Sequence, residues 1–303
     1  MITTATHSMI PALKSLWVEA FKDSEDYVDF FLNQRFDDIA TFVYLVDDNP
    51  VSMAFVFNEE LYHKDAYIKA GYIYGVATAS RHQGKGYSTQ VLKHIQSIYP
   101  TTFLIPATGR LFDFYGRNGY QTAFVVHEET LSITDHCPST IAYSFDVISP
   151  AQYKNIRDKH FEKEGYIRWS EASVAYAIAE NKFCGGSTLK VTFLNDYFPD
   201  NSTPEDNASN RNTLDDNTFN RSENKTIRED IILYRCYNNQ LYIKETTLSG
   251  QSLYDVAHLL MRENHVTTCN LRLARGSSST SRGFGMLHSS FSVENGYCNL
   301  VLD

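Results

Sequence analysis

The stretch "YIYGVATASRHQGKGYSTQVLKHIQ", residues 72–96, changes character twice. It begins with aromatic and β-branched residues that favour a strand. Its middle, "RHQGKG" at 81–86, is basic and glycine-rich, and its end places apolar residues at helical spacing. The pattern predicts a strand, a turn and a helix N-terminus meeting at one point. Gly84 and Gly86 permit positive φ and close backbone approach there. The first N–H groups of the helix have no intrahelical acceptor and sit at the positive end of its dipole. Together they make an anion site that suits a pyrophosphate, with Arg81 and Lys85 adding charge at the rim. The plain alternative is a structural turn with a solvated basic edge.

Two other phosphate motifs fit poorly. The P-loop pattern GxxxxGK[ST] does not occur, and "GKGYST" puts Thr89 where a dinucleotide fingerprint needs its third glycine.

At 303 residues the chain has room for two domains, and 43% hydrophobic with 21% charged residues is ordinary for a globular protein. Its formal net charge of −9 argues against binding nucleic acid as the main activity, which needs a basic face, and is compatible with a cationic partner. Five scattered cysteines without a CxxC pair suggest free thiols in a reducing compartment and no zinc site. The N-terminus does not read as a signal peptide, and no apolar run approaches the roughly 18 residues that span a bilayer. A cytoplasmic protein without membrane contact is expected, with a homo-oligomer left open.

Around the opening stretch, residues 8–36 read as two helices, "TFVYLVDD" and "PVSMAFVF" as strands joined near Asp47–Pro50, and "TTFLIPA" as a further strand. "GRLFDFYGRNGY" reads as a short helix broken at Gly116 and Gly119, followed by the strand "QTAFVVHEETLSI". The sum is a mixed α/β domain over 1–145. Residues 195–229 are rich in Asn, Asp, Ser and Thr and read as a loop or disordered insertion, whose NxS/T sequons are read as chance. Beyond it, "IILYRCYNNQLYIKETTL" reads as a hairpin turning at Asn238–Asn239, "SLYDVAHLLMREN" as a helix, and "TCNLRLA" and "YCNLVLD" as strands. Hairpin, helix and strand repeat the order of residues 41–106, so 146–303 is expected to be a second domain of similar architecture. "ARGSSSTSRGFG" (274–285) reads as a flexible loop, and Trp169, Tyr176 and Phe183 as core packing.

"RHQGKG", set between "YIYGVAT" and a helix, resembles the R/Q-x-x-G-x-G/A motif of the GNAT superfamily of N-acetyltransferases. "LFDFYGRNGY" (111–120), about 30 residues on, is similar to that superfamily's second motif. The resemblance implies an acetyl-CoA-dependent N-acetyltransferase that needs no metal. The backbone of Val76, Ala77 and Thr78 would pair with the pantetheine, and the amides from Gln83 through Gly84, Lys85, Gly86 and Tyr87 to Ser88 would hold the pyrophosphate. Arg81 and His82 begin this loop, and Arg110 and Leu111 start the short helix beside the cofactor. Tyr115 falls where the superfamily places a general acid for the leaving thiolate, and the Val76 N–H is a candidate oxyanion donor.

The acceptor would be an amine: a small amine, a polyamine, an aminoglycoside-like compound or a peptide amine. Glu59, Glu60, His63, Asp65, His127, Glu128 and Glu129 flank the relevant strands as candidate bases or solvated charges. "RLFDFYGRNGY" and "GFGMLHS" (283–289) also resemble the Eis-like branch, in which an active domain precedes a degenerate, non-catalytic copy. By that resemblance the C-terminal carboxylate of Asp303 is a candidate base. Two alternatives stay open: a catalytically idle acyl-CoA-binding sensor, and a nucleotide-binding α/β protein with a chance motif.

Overall fold

Strand β1 (Ile2–Thr4) leads into helices α1 (Ile10–Phe21) and α2 (Glu25–Arg35), whose apolar residues recur three and four apart. Ser24 caps α2, its hydroxyl accepting from the Tyr27 N–H at 3.2 Å, and Glu25 and Asp26 stand at the positive pole of the same helix. Strands β2 (Thr41–Val46) and β3 (Asn49–His63) form a hairpin turned at Asp47 and Asp48, both at positive φ. The computed structural model describes residues 1–133, 143–193, 228–276 and 280–300. Most of the expected insertion at 195–229, and Cys137, therefore lie outside the described residues. The other four cysteines are free.

Strand β4 (Ala66–Thr78) pairs antiparallel with β3; helix α3 (Tyr87–Ile98) then crosses over to β5 (Thr102–Leu104), parallel to β4. Helix α4 (Gly109–Arg117) and β6 (Gln121–Ser132) follow. The second half runs β7 (Tyr143–Val147), α5 (Pro150–Phe161), β8 (Ile167–Arg168), α6 (Glu171–Phe183), β9 (Ser187–Phe193), β10 (Glu229–Tyr237) and β11 (Gln240–Thr246). It closes with α7 (Gly250–Glu263), β12 (Thr268–Leu273) and β13 (Ser281–His288). Asn238 and Asn239, at φ 50° and 59°, turn the β10–β11 hairpin where the sequence places it. β12 lies parallel to β11 across α7, so hairpin, crossover helix and parallel strand recur in both halves.

One mixed sheet runs through the described residues in the order β1-β2-β3-β4-β5-β13-β6-β12-β11-β10-β9-β7, with β8 beside β3. β13, from the end of the chain, sits between β5 and β6 of the first half. This corrects the loop expected over 274–285: Ser281–Gly285 is part of an inner strand, bulged around Gly283–Gly285. A Cβ at Gly285 would stand 3.0 Å from Cys298 Sγ and 3.1 Å from Phe124 Cδ2, so this glycine serves close packing inside a sheet. The strand expected at "YCNLVLD" is also corrected. Tyr297–Leu300 is buried but makes only an isolated bridge, Tyr166 to Tyr297.

Two apolar layers flank the first half. α1, α2 and α6 cover one face, where Trp17, Phe31, Phe55, Tyr72 and Trp169 are buried together. α3 and α4 cover the other, over Val56, Ile73, Val91 and Ile95. Trp169 and Tyr176 are core residues as read. Phe183 is half-exposed, stacking on Phe30 of α2 at 4.5 Å, where the halves meet.

Candidate active site

The site is built on an interruption in β4. Met53 of β3 faces Ala77, and Phe55 faces Tyr74, so Gly75 and Val76 together oppose one residue and form a β-bulge. Gly75 has φ 62°, and a Cβ there would lie 2.9 Å from Trp17 Cζ3. The isolated glycine in "YIYGVAT" was the signal for this bulge, and sequence reasoning did not use it. On its other edge β4 pairs with β5 only at Gly71–Tyr72. Beyond Tyr72 no strand pairs with that edge among the described residues, so the backbone of Val76–Thr78 borders an open wedge.

The loop at the wedge's end has the expected geometry. Gly84 and Gly86 adopt φ 75° and 77°, a region that costs other residues about 1–2 kcal/mol. The first intrahelical bond of α3 runs from the Gln90 N–H to the Gly86 carbonyl at 3.1 Å. The N–H groups of Tyr87, Ser88 and Thr89 thus have no helical acceptor, no side chain caps them, and no acidic residue occupies the first turn.

A cavity of about 710 Å³ fills the space between this loop, the splayed strand and α4. It brings together Val76, Ala77, Thr78, His82, Gln83, Gly84, Gly86, Tyr87, Ser88, Arg110, Leu111 and Tyr115. Arg81 and Lys85 stay outside this lining, exposed on the rim. Thr89, Thr108, Phe114 and Arg117 also line it and escaped sequence reasoning. The spacing 110, 114, 117 marks one face of α4, which would have found Phe114 and Arg117. Tyr87 is held by stacking on Tyr44 of β2, ring centroids 4.3 Å apart.

Tyr115 is buried in the cavity wall, 7% exposed. Burial, with Tyr120 beside it, raises its pKa well above the usual phenol value. Tyr120 is itself pushed up to about 12 by burial, against its hydrogen bond with Thr102 Oγ1 at 2.9 Å. α4 runs through Gly116 to Arg117, with Asn118 as its C-cap and Gly119 at φ 86° making the turn; the break expected at Gly116 does not occur. His288 of β13 bonds the Gly119 carbonyl at 3.0 Å, so the chain's last strand braces the turn after Tyr115.

None of the flanking acids and histidines lines the cavity. Glu59 is buried and accepts from the Ser170 N–H at 2.5 Å and from the Ser173 hydroxyl. Burial raises its pKa against those hydrogen bonds. Glu60 pairs with Arg168, His63 with Glu164, and Glu128 with Arg282. The Tyr62 hydroxyl donates to Asp65, and the Tyr254 hydroxyl to Glu129. These groups serve packing and ion pairing; Asp303 lies outside the described residues. Among the described residues no group of three or more His, Cys, Asp or Glu could hold a metal ion, and no helix is long and apolar enough to cross a membrane.

Splayed parallel strands closed by a glycine loop and an uncapped helix form the cradle that the sequence resemblance implied. Residues 1–123 match the acetyltransferase (GNAT) domain family. A GCN5-related N-acetyltransferase from Anabaena variabilis superposes with a TM-score of 0.67 at 12% identity, over 95% of this chain and 72% of that one. A probable N-acyltransferase from Enterococcus faecalis V583 gives 0.64 at 12% identity over 95% and 72%. Eis1 from Mycobacterium abscessus gives 0.58 at 11% identity over 95% and 73%. At these identities the likeness is one of fold, and it extends across both halves, making the protein similar to the Eis-like branch. No curated protein matches the chain in sequence.

Proposed function

We propose that the protein is an N-acetyltransferase that moves an acetyl group directly from acetyl-CoA to an amine. The observation that carries this reading is the convergence of the unpaired β4 edge and the uncapped start of α3 on one cavity. In this reading the pantetheine amides pair with the backbone of Val76–Thr78. The pyrophosphate lies on the amides of Gln83–Ser88, with Arg110 and Arg117 adding charge from α4.

The acceptor enters as a neutral amine and attacks the thioester carbonyl. The Val76 N–H, within the bulge, stabilises the tetrahedral oxyanion. Tyr115 keeps its proton at every physiological pH and donates to the departing thiolate. The amine proton passes to a base that we assign to no described residue, because every flanking acid is engaged elsewhere. The second half, whose α6 packs on α2, is read as a non-catalytic copy that shapes the acceptor side.

A thiol-release assay with acetyl-CoA and a panel of small amines, polyamines, aminoglycosides and peptides tests this. Amine-dependent release that is lost in Ser88→Glu, which places a carboxylate at the phosphate position, is expected. Acetyl-CoA binding without release for any acceptor class would leave an idle acyl-CoA sensor.

A further inference from the structure

A second cleft opens where β11 and β12 diverge. These parallel strands pair only from Leu241–Ile243 to Cys269–Leu271, although β11 continues to Thr246 and β12 to Leu273. A cavity of about 620 Å³ occupies the divergence, with Leu248 and Leu253 on one side and Leu273 and Arg275 on the other. It holds the same place in the second half that the acyl-donor cavity holds in the first: the crevice at the carboxyl ends of two parallel strands joined by a crossover helix. No residue lines both cavities.

The wall of this cavity carries more positive than negative charge. Lys163, in the turn after α5, and Arg275, after β12, both line the cavity, and neither forms an ion pair among the described residues. Lys163 is partly buried, and its pKa is lowered first by burial and then by Arg275. Two cations lining one partly apolar hollow repel each other, Arg275 exposed and Lys163 half-buried, and an anion entering there would relieve that repulsion. Glu129, the one acid in the wall, already accepts from the Tyr254 hydroxyl at 3.2 Å. The start of α7 adds to the same field: Ser249 makes no side-chain cap and no acid occupies the first turn.

We infer that this second cleft binds a phosphate-bearing small molecule, distinct from the acyl donor, with its phosphate between Lys163 and Arg275 and its organic part on Leu248, Leu253 and Leu273. The second half lacks the basic glycine loop of the first, so here side-chain cations take the role of loop amides.

Calorimetric titration with pyrophosphate and, separately, with CoA tests the assignment on three proteins: the wild type, Ser88→Glu and the double variant Lys163→Ala/Arg275→Ala. Both substituted side chains reach the surface, and a matching melting curve verifies the fold. The expected result is two pyrophosphate sites in the wild type, of which the one that survives in Ser88→Glu is weakened by roughly tenfold or more in the double variant, the loss of one or two charge-assisted hydrogen bonds. Two CoA per wild-type chain would identify a CoA-type ligand. One CoA with pyrophosphate still at two sites would identify a smaller phosphorylated molecule. Pyrophosphate binding that disappears in Ser88→Glu, or is unchanged in the double variant, would overturn the inference while leaving the acetyltransferase reading intact. Loss of CoA binding alone would do the reverse.

Discussion

At the residue scale the account turns on Tyr115. Its burial in the wall of the cavity proposed to hold the acyl donor is what a proton donor needs, since a raised pKa keeps the phenol neutral. Tyr115→Phe keeps the ring and its packing and removes only the hydroxyl. A fall in kcat of about 10²-fold or more, with the Kd for acetyl-CoA unchanged, is expected from parallel kinetic and binding measurements. The sign of the pH dependence follows from the same shift. Tyr115 stays protonated through pH 10, so it contributes no falling limb below that value. The rate between pH 6 and 9.5 should therefore rise as the acceptor amine deprotonates and then level off; a decline near pH 8 would assign the donor to another group. Tyr115, Arg110 and the glycine loop were legible in the sequence because their spacing is local. The engagement of Glu59 with Ser170 and Ser173 was not, because it joins residues 111 and 114 positions apart.

At the scale of elements the decisive feature is the bulge in β4. Gly75 combines a positive φ with a Trp17 contact that leaves no room for a methyl group. Gly75→Ala is expected to destabilise the fold by about 2–4 kcal/mol in a denaturant melt and to weaken acetyl-CoA binding, because the bulge sets the splay of β4. Stability lost without any change in affinity would separate the bulge from the site. Both hairpins and most helices, apart from the break expected at Gly116, followed from periodicity and from the turns read at Asn238–Asn239 and Asp47–Pro50, which are local signals. β13 was not. Its glycines and serines have loop composition, and only contacts with Leu104, Phe124 and Cys298, remote in sequence, make "SRGFG" an inner strand.

At the scale of the whole molecule a buried polar cluster ties together distant segments of the second half: α5, β8, β11 and the segment after β13. Arg157, wholly buried, donates to Glu245 at 3.0 Å, to the Ile167 carbonyl at 3.1 Å and to the Asn299 carbonyl at 2.6 Å. Tyr153 and Tyr297 donate to the same Glu245 at 2.7 and 3.0 Å. Arg157→Met leaves the glutamate buried without its counter-charge and should cost about 3–5 kcal/mol in a denaturant melt. A loss of only about 1 kcal/mol or less would mean the cluster does not hold these segments together.

The buried tyrosines set an alkaline limit as well. Burial holds Tyr74, Tyr153 and Tyr297 well above the usual phenol pKa. Their folded-state pKa values exceed the unfolded one, so their contribution to stability is complete below about pH 10 and is lost as pH rises beyond it. Spectroscopic titration should show these phenols ionising together with unfolding, after the exposed tyrosines.

The central claim is that the loop at 81–88 and the open edge of β4 hold acetyl-CoA. Calorimetric titration of wild type and Ser88→Glu with acetyl-CoA, CoA, ATP and NAD tests it most directly. The account predicts a binding heat for acetyl-CoA and CoA that Ser88→Glu abolishes, and no Ser88-dependent heat for ATP or NAD. No binding of acetyl-CoA, or binding equal in the two proteins, would contradict it and return "RHQGKG" to a structural turn.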